Sequence, residues 1–319
     1  MAELEHKPVL LAETLEMLAV REGGIYVDCT LGAGGHAREI LASAGRGGRL
    51  IGIDKDQGAL DRAREVLAPF PGQVTYVARD FRYLQDILRE LEIFQVDGIL
   101  FDLGVSTFQV LDPQRGFSYV YDAPLDMRMD QTGKITASDL VNNLNEKELA
   151  GLIFRYGEEK WARRIASMIV ARRKKAPIKT TGQLVEIIKT AIPAPARRRG
   201  PHPAKRTFQA LRIAVNDELT GLTQGLQAGI PFLGPGGRIV VISFHSLEDR
   251  IVKNIFRDFA SPCICTHQEN LTCQKGILRV LTKKPLTPAA REVKLNPRAR
   301  SAKLRAAERI VPVAGVLSS

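Results

Sequence analysis

Cysteine is scarce. Four in 319 residues cannot make the disulfide framework of a small secreted scaffold. No apolar run approaches the ~18 residues a membrane-spanning helix needs. The N-terminus lacks the basic-then-apolar pattern of a secretory signal. A soluble, cytoplasmic protein with no membrane partner is therefore expected. Internal repeats and low-complexity tracts are missing too. Acids are in deficit, with 35 Asp and Glu against 46 Lys and Arg, for a net charge of +11 and a pI near 9.6. An excess of this size favours a polyanionic partner. The remaining composition, 45% hydrophobic and 25% charged, is that of an ordinary packed core in one large or two ordinary domains.

One motif that is absent directs attention to one that is present. There is no G-x-G-x-x-G, but Asp28-x-Thr30-x-Gly32-x-Gly34-Gly35-His36 follows the apolar run Ile25–Val27 and precedes a helical pattern from His36 to Ala42. A strand, a glycine turn and a helix bring backbone close to a ligand at the strand's carboxyl end. A carboxylate before that turn disfavours a pyrophosphate and suits a cation. The next strand, Arg49–Ile53, ends in Asp54, twenty residues after Gly34. An acid at that offset accepts hydrogen bonds from ribose hydroxyls. The combination resembles the S-adenosylmethionine pocket of Rossmann-like methyltransferases. An NAD enzyme is the alternative, and both the missing third glycine and Asp28 argue against it.

Along the chain, helical spacing at Leu11, Leu15 and Leu18 precedes the first strand. Gln57–Leu67 reads as a helix, Val74–Val77 as a strand ending near Asp80 and Phe81, Phe81–Leu91 as a helix, and Val96–Phe101 as a strand ending at Asp102. Alternation of this kind predicts a mostly parallel sheet, with Asp28, Asp54 and Asp102 converging on one crevice. The rhythm then changes. Residues 108–212 carry turn residues and helical patterns without a clear strand, which predicts an inserted helical domain between a first part at 1–107 and a second at 213–319. Thr207–Gln227 reads as one helix. After the glycine turn 234–237, Arg238–Phe244 is a buried strand. Ser246-Leu247-Glu248-Asp249 looks like a capping box for a helix Leu247–Phe259. Gly276–Leu281 reads as the last strand, and Thr287–Arg309 as a basic tail.

Several longer stretches now matter together. They are His6-x-Pro8-Val9-Leu10-Leu11, the glycine-turn motif, Asp97-Gly98-Ile99-Leu100-x-Asp102-Leu103-Gly104-Val105-Ser106, Arg115-Gly116-Phe117-Ser118, and Pro124-Leu125-Asp126-Met127-Arg128-Met129-Asp130. Gly157-Glu158-Glu159, His202-Pro203-Ala204-x-Arg206-Thr207-Phe208-Gln209, Ile242-Ser243-Phe244-His245-Ser246-Leu247-Glu248-Asp249-Arg250 and Asn296-Pro297-Arg298-x-Arg300-Ser301-Ala302 complete the set. From His6 to about Ile310 the chain resembles the bacterial 16S ribosomal RNA cytosine-N4 methyltransferases, the MraW or RsmH family. The resemblance implies a class I methyltransferase sheet with an inserted helical domain, S-adenosylmethionine as cofactor, and a cytosine of the decoding centre in the 30S subunit as target. Carried over by position, it implies cofactor contacts at Gly34, Gly35, His36, Asp54, Phe81, Asp102 and Gln109, beside Asp28. Lys205 stands where the family usually has Thr.

Methylating a cytosine amine needs a group that favours charge developing on nitrogen, and Asp102 is the candidate catalytic residue. It stands where amino-methyltransferases often carry Asp/Asn-Pro-Pro-Tyr/Phe, but here Leu103-Gly104-Val105 follows. Holding the cofactor's amine is therefore an equal reading. Phe117 and Tyr119 are candidates for the missing stack, with ordinary packing the stronger reading for each. His245 reads as a polar residue before a helix cap rather than a base. Asp126, Arg128 and Asp130 read as a substrate-side cluster or a salt-bridged loop. Cys263, Cys265, His267 and Cys273 have an uncommon metal spacing, so no metal is expected. Arg197, Arg198, Arg199, Lys205 and Arg206 crowd a Pro/Gly-rich loop and are the RNA-binding candidates, aided by Arg163, Arg164, Arg172, Arg173, Lys174, Lys175, Lys179 and the basic tail. The competing function is a non-catalytic RNA-binding assembly factor with a vestigial pocket. A homodimer stays open.

Overall fold

The structure is a computed structural model and describes residues 8–198, 200–261 and 276–310. The chain divides into two compact units, Met1–Gly104 with Leu219–Ser319, and Val105–Glu218. The first holds a seven-stranded sheet of β1 (Ile25–Asp28), β2 (Arg49–Asp54), β3 (Val74–Ala78), β4 (Val96–Asp102), β5 (Leu233–Ser243), β6 (Leu278–Val280) and β7 (Lys303–Arg309), in the order β3-β2-β1-β4-β5-β7-β6. The first five are parallel, and β7 runs antiparallel to both β5 and β6. This is the expected Rossmann-like sheet.

The central strands are apolar along their whole length because both faces are covered. Alternate residues go to opposite sides. Ile51, Ile99, Phe101 and Val241 enter one core, while Leu50, Leu100, Val240 and Ile242 enter the other. Burying each such side chain contributes about 1.5–3 kcal/mol. Strand order reverses between β1 and β4, so the carboxyl ends of these two strands flank the switch point where open α/β sheets bind ligands. Asp28 pairs in register with Gly52 of β2 and Leu100 of β4, which puts the three strand-end acids at one edge.

Three expectations need correction. The stretch read as a basic tail forms a short helix, Ala290–Leu295, and then β7. Leu304, Ala306 and Ala307 of β7 are buried, so sheet pairing outweighs the local charge. Arg305 is 7% exposed and its Nε lies 2.6 Å from Asp249 Oδ1, which removes it from any RNA surface. The helix read over 207–227 is two, Lys205–Asn216 and Glu218–Gly229, broken at Asp217 in the left-handed region at φ 47°. The β5-following helix runs Ser246–Ala260, with His245 rather than Ser246 as its N-cap and Glu248 completing the capping box.

The second unit, Val105–Glu218, is helical. Its helices are Thr107–Leu111, Ala137–Asn143, Glu146–Gly157, Ala162–Arg173, Thr181–Ala191, Ala194–Arg197 and Lys205–Asn216. Thr136, Asn145 and Thr180 open three of them as capping boxes. Leu149, Ile153, Ile165, Ile169, Leu184, Ile188 and Leu211 form its own core. This second core is the physical reason the segment is a unit in itself.

Candidate active site at the carboxyl ends of β1, β2 and β4

After Asp28 the chain turns sharply. Gly32 and Gly34 lie at φ 53° and 83°, a region that costs little only for glycine, and Gly34 caps the helix Gly35–Ala44. A Cβ on Gly35 would lie 2.7 Å from Pro8, so the N-terminal segment passes directly over the turn. The turn is tied to its neighbours by side chains. Thr30 N–H donates to Asp28 Oδ1 at 3.1 Å, Thr30 Oγ1 accepts the Asp102 backbone N–H at 2.6 Å, and Gly32 N–H donates to Asp54 Oδ2 at 2.9 Å. Asp54 Oδ1 accepts the Asp56 N–H at 2.9 Å. Both oxygens of Asp54 are thus aimed by backbone and keep lone pairs for further donors.

The electrostatics are acidic. Asp28 is 2% exposed, and burial, with nearby Asp54 adding to it, pushes its pKa up to about 7 against the Thr30 N–H bond. Burial, Asp28 and Glu248 together push Asp102 up to about 8. Burial also raises Asp54, opposed by its two backbone N–H donors. Among the described residues no Lys or Arg pairs with Asp28 or Asp102. Asp102 Oδ2 lies 3.5 Å from Nδ1 of His36, whose Nε2 is 3.0 Å from the Val9 carbonyl. Asp102 Oδ1 is buried without a hydrogen-bond partner. A buried, unsatisfied carboxylate oxygen costs about 1–3 kcal/mol until a donor reaches it. The residues therefore fit a ligand that brings positive charge and N–H or O–H donors, and S-adenosylmethionine brings both.

Other candidates fall in place one by one. Phe81 follows Asp80 at the end of β3 and meets Phe101 edge-on at 5.3 Å. A Cβ on Gly225 would come within 2.8 Å of the Phe81 ring, so this glycine makes room for it. Asp80 pairs with Lys55 and Arg82 at 3.3 and 3.4 Å. Gln109, in the helical unit, is 5% exposed, and its Oε1 accepts the Ser106 N–H in a capping box. Phe117 belongs to the helical core, and Tyr119 stacks on His202 at 4.6 Å. Arg128 grips Asp126 through two nitrogens, at 2.7 and 2.9 Å, and is a loop clamp. The His245 ring takes the Glu248 N–H on Nδ1 and faces Glu248 Oε1 at 3.1 Å through Nε2, so it serves the cap.

Sequence reasoning missed Thr30, Val9 and Glu248 as parts of the site. All three lie inside motifs already singled out, but the Thr30 bond to the Asp102 N–H, the Val9 carbonyl facing His36 and the proximity of Glu248 to Asp102 join segments distant in sequence and cannot be read from spacing. Glu248 is 2% exposed and accepts the N–H groups of Phe244 and His245.

In the helical unit Arg197, Arg198, Lys205 and Arg206 are exposed. With Trp161 and His202, three of these arginines line a cavity of about 770 Å³. Arg199 and the cluster Cys263, Cys265, His267 and Cys273 lie outside the described residues. No helix among the described residues is long and apolar enough to cross a membrane.

The sequence matches the family model described as the MraW methylase family over residues 3–310. It is 54% identical over 307 residues to a ribosomal RNA small subunit methyltransferase H of Brevibacillus brevis, covering 96% of this chain and 98% of that one. It is 56% identical over 303 residues to the protein of that name from Symbiobacterium thermophilum, covering 94% and 95%. The corresponding Geotalea uraniireducens protein is 54% identical over 312 residues, covering 97% and 100%.

Proposed function

The chain belongs to the MraW methylase family, and from that premise we propose that it methylates 16S ribosomal RNA within the 30S subunit, at the N4 amine of a decoding-centre cytosine, using S-adenosylmethionine. The observation that carries this reading is the buried, partnerless Asp102 Oδ1 at the end of β4, beside a glycine turn and two further strand-end acids. Relatives at 52–56% identity bear the name of a small-subunit ribosomal RNA methyltransferase.

S-adenosylmethionine supplies, when bound, a methyl group on a positively charged sulfur. Asp54 would orient the ribose through its two backbone-aimed oxygens, and Phe81 would flank the adenine. The backbone of Gly34, Gly35 and His36 would complete the set in the sheet unit, and the family resemblance implies Gln109 as a further cofactor contact. Asp28 and Asp102 supply the negative field that favours a cationic ligand. The target amine is a poor nucleophile because its lone pair is delocalised into the ring. Asp102, accepting its N–H, would favour charge developing on nitrogen and would take the proton as the methyl passes from sulfur to nitrogen, the S–C bond breaking as the N–C bond forms and a neutral thioether being left. Positioning and electrostatics of this kind provide much of the barrier lowering. On the helical unit, Arg197, Arg198, Arg199, Lys205 and Arg206 would hold phosphates, which fix register and carry little sequence information.

The test incubates the protein and labelled S-adenosylmethionine with small subunits and identifies the modified nucleoside. N4-methylcytidine is expected. Label in another nucleoside overturns the assignment of the target. No transfer despite retained RNA binding favours the assembly-factor alternative. Asp102→Ala should abolish transfer, and its cofactor affinity, measured beside turnover, separates its role on the amine from a role on the cofactor.

A further inference from the structure

His36 is buried, at 6% exposure, in the first turn of the helix Gly35–Ala44. Its Nε2 faces the Val9 carbonyl at 3.0 Å. A carbonyl can only accept, so Nε2 carries hydrogen in every protonation state of the ring. The Val9 carbonyl is itself held. The next residue, Leu10, lies at φ 54°, and its N–H donates to Glu292 Oε1 at 2.8 Å, while Pro8 lies against Gly35. With Nε2 committed, the neutral ring presents Nδ1 as a lone pair, 3.5 Å from Asp102 Oδ2. A lone pair opposite a bare carboxylate is repulsive, and a proton between them removes the repulsion. The other titratable neighbours of Asp102 are also acids, Asp28 on β1 and Glu248 on the helix Ser246–Ala260, and they disfavour a second bare charge.

We propose that His36 is a positioning residue for Asp102: locked by the Val9 carbonyl, its imidazole shares one proton with the Asp102 carboxyl, and the pair titrates as a unit. The inference rests on Asp102 being the working carboxylate of the site. In the free protein the pair carries no net charge, either as imidazole facing carboxylic acid or as imidazolium facing carboxylate. A positively charged ligand stabilises the deprotonated pair, so its binding releases the shared proton. His36 then acts through the charge of Asp102 rather than by touching the reacting atoms.

The test needs no RNA. Histidine ring-nitrogen NMR of the free, full-length protein, titrated with pH, reads both nitrogens. The expected result is Nε2 protonated throughout and Nδ1 titrating in one step. Asp102→Asn removes the shared partner and should move that step to lower pH by about one pH unit or more. A His36 ring protonated permanently at Nδ1, or one whose titration is unmoved in Asp102→Asn, overturns the proposal. Calorimetry of S-adenosylmethionine binding in two buffers of different ionisation enthalpy gives a second reading. Wild type should release protons on binding, and His36→Gln, which keeps an N–H donor for Val9 but has no second ring nitrogen, should release a different number. Equal proton release in the two proteins also overturns it. Either failure leaves the assignment of methyl transfer to RNA standing, because that is read from the modified nucleoside.

Discussion

Thr30→Val is the sharpest perturbation of the site. Valine has nearly the shape of threonine, so packing is kept and only the hydroxyl is lost. That hydroxyl accepts the Asp102 backbone N–H at 2.6 Å and sits 3.5 Å from Asp28 Oδ1. Removing it leaves a backbone donor at the end of a buried strand without a partner, at a cost of about 1–3 kcal/mol. With the per-residue unfolding entropy typical of domains, spread over a sheet unit of this size, the loss lowers the melting midpoint by about 2–7 °C. The functional effect should exceed the stability effect. Asp102 loses the tether that fixes the end of β4 relative to the glycine turn, and a small misplacement of a reacting group costs about 100-fold in rate. Thr30→Ser retains the acceptor and is the control. Thermal melts and single-turnover transfer to small subunits, run on both variants below their midpoints, check the reasoning. If Thr30→Val kept wild-type stability and turnover, the hydroxyl would not be organising Asp102.

Asp54→Ala should weaken S-adenosylmethionine binding by about 1–3 kcal/mol, read by calorimetry, because the Gly32 and Asp56 N–H groups and the ribose all lose their acceptor. Unchanged affinity in a folded variant would remove Asp54 from the pocket. The free protein should lose stability as pH rises from about 4 to about 8. Asp28 and Asp102 have raised folded-state pKa values, so the native state binds more protons than the unfolded chain across that window. Melting midpoints against pH test this, and Asp102→Asn, a permanent mimic of the neutral acid, should flatten the curve. Neutralising Arg197, Arg198 and Arg199 together should lower RNA affinity and reduce the salt slope by about 2–3, while leaving cofactor affinity alone. A wild-type salt slope would exclude this loop from the RNA surface.

Much of the site was legible because its parts are local. A strand followed by Gly32, Gly34 and Gly35 dictates a tight turn and a helix start, and an apolar run ending in an acid dictates where Asp54 and Asp102 stand. Alternation of strand and helix gave the parallel sheet, and its loss after residue 107 gave the helical unit. The sequence was misleading where long-range pairing outweighs local composition. Lys303–Arg309 reads as a charged tail because seven residues alone cannot reveal that β5 and β6 will pair on either side of them. The break at Asp217 was hidden because a helical hydrophobic pattern continues across it.

What the sequence determined by itself was the inventory: acids at strand ends, glycines at the turn, basic residues in a loop, and the family they resemble. Tertiary structure alone decided their chemical state. Asp28 and Asp102 are ordinary carboxylic acids until burial and mutual proximity raise their pKa values. His36 is an ordinary imidazole until the Val9 carbonyl, 27 residues away along the chain, fixes which of its nitrogens carries hydrogen. Desolvation and hydrogen-bond direction arise only when segments distant in sequence pack together, and no spacing within the chain encodes them locally.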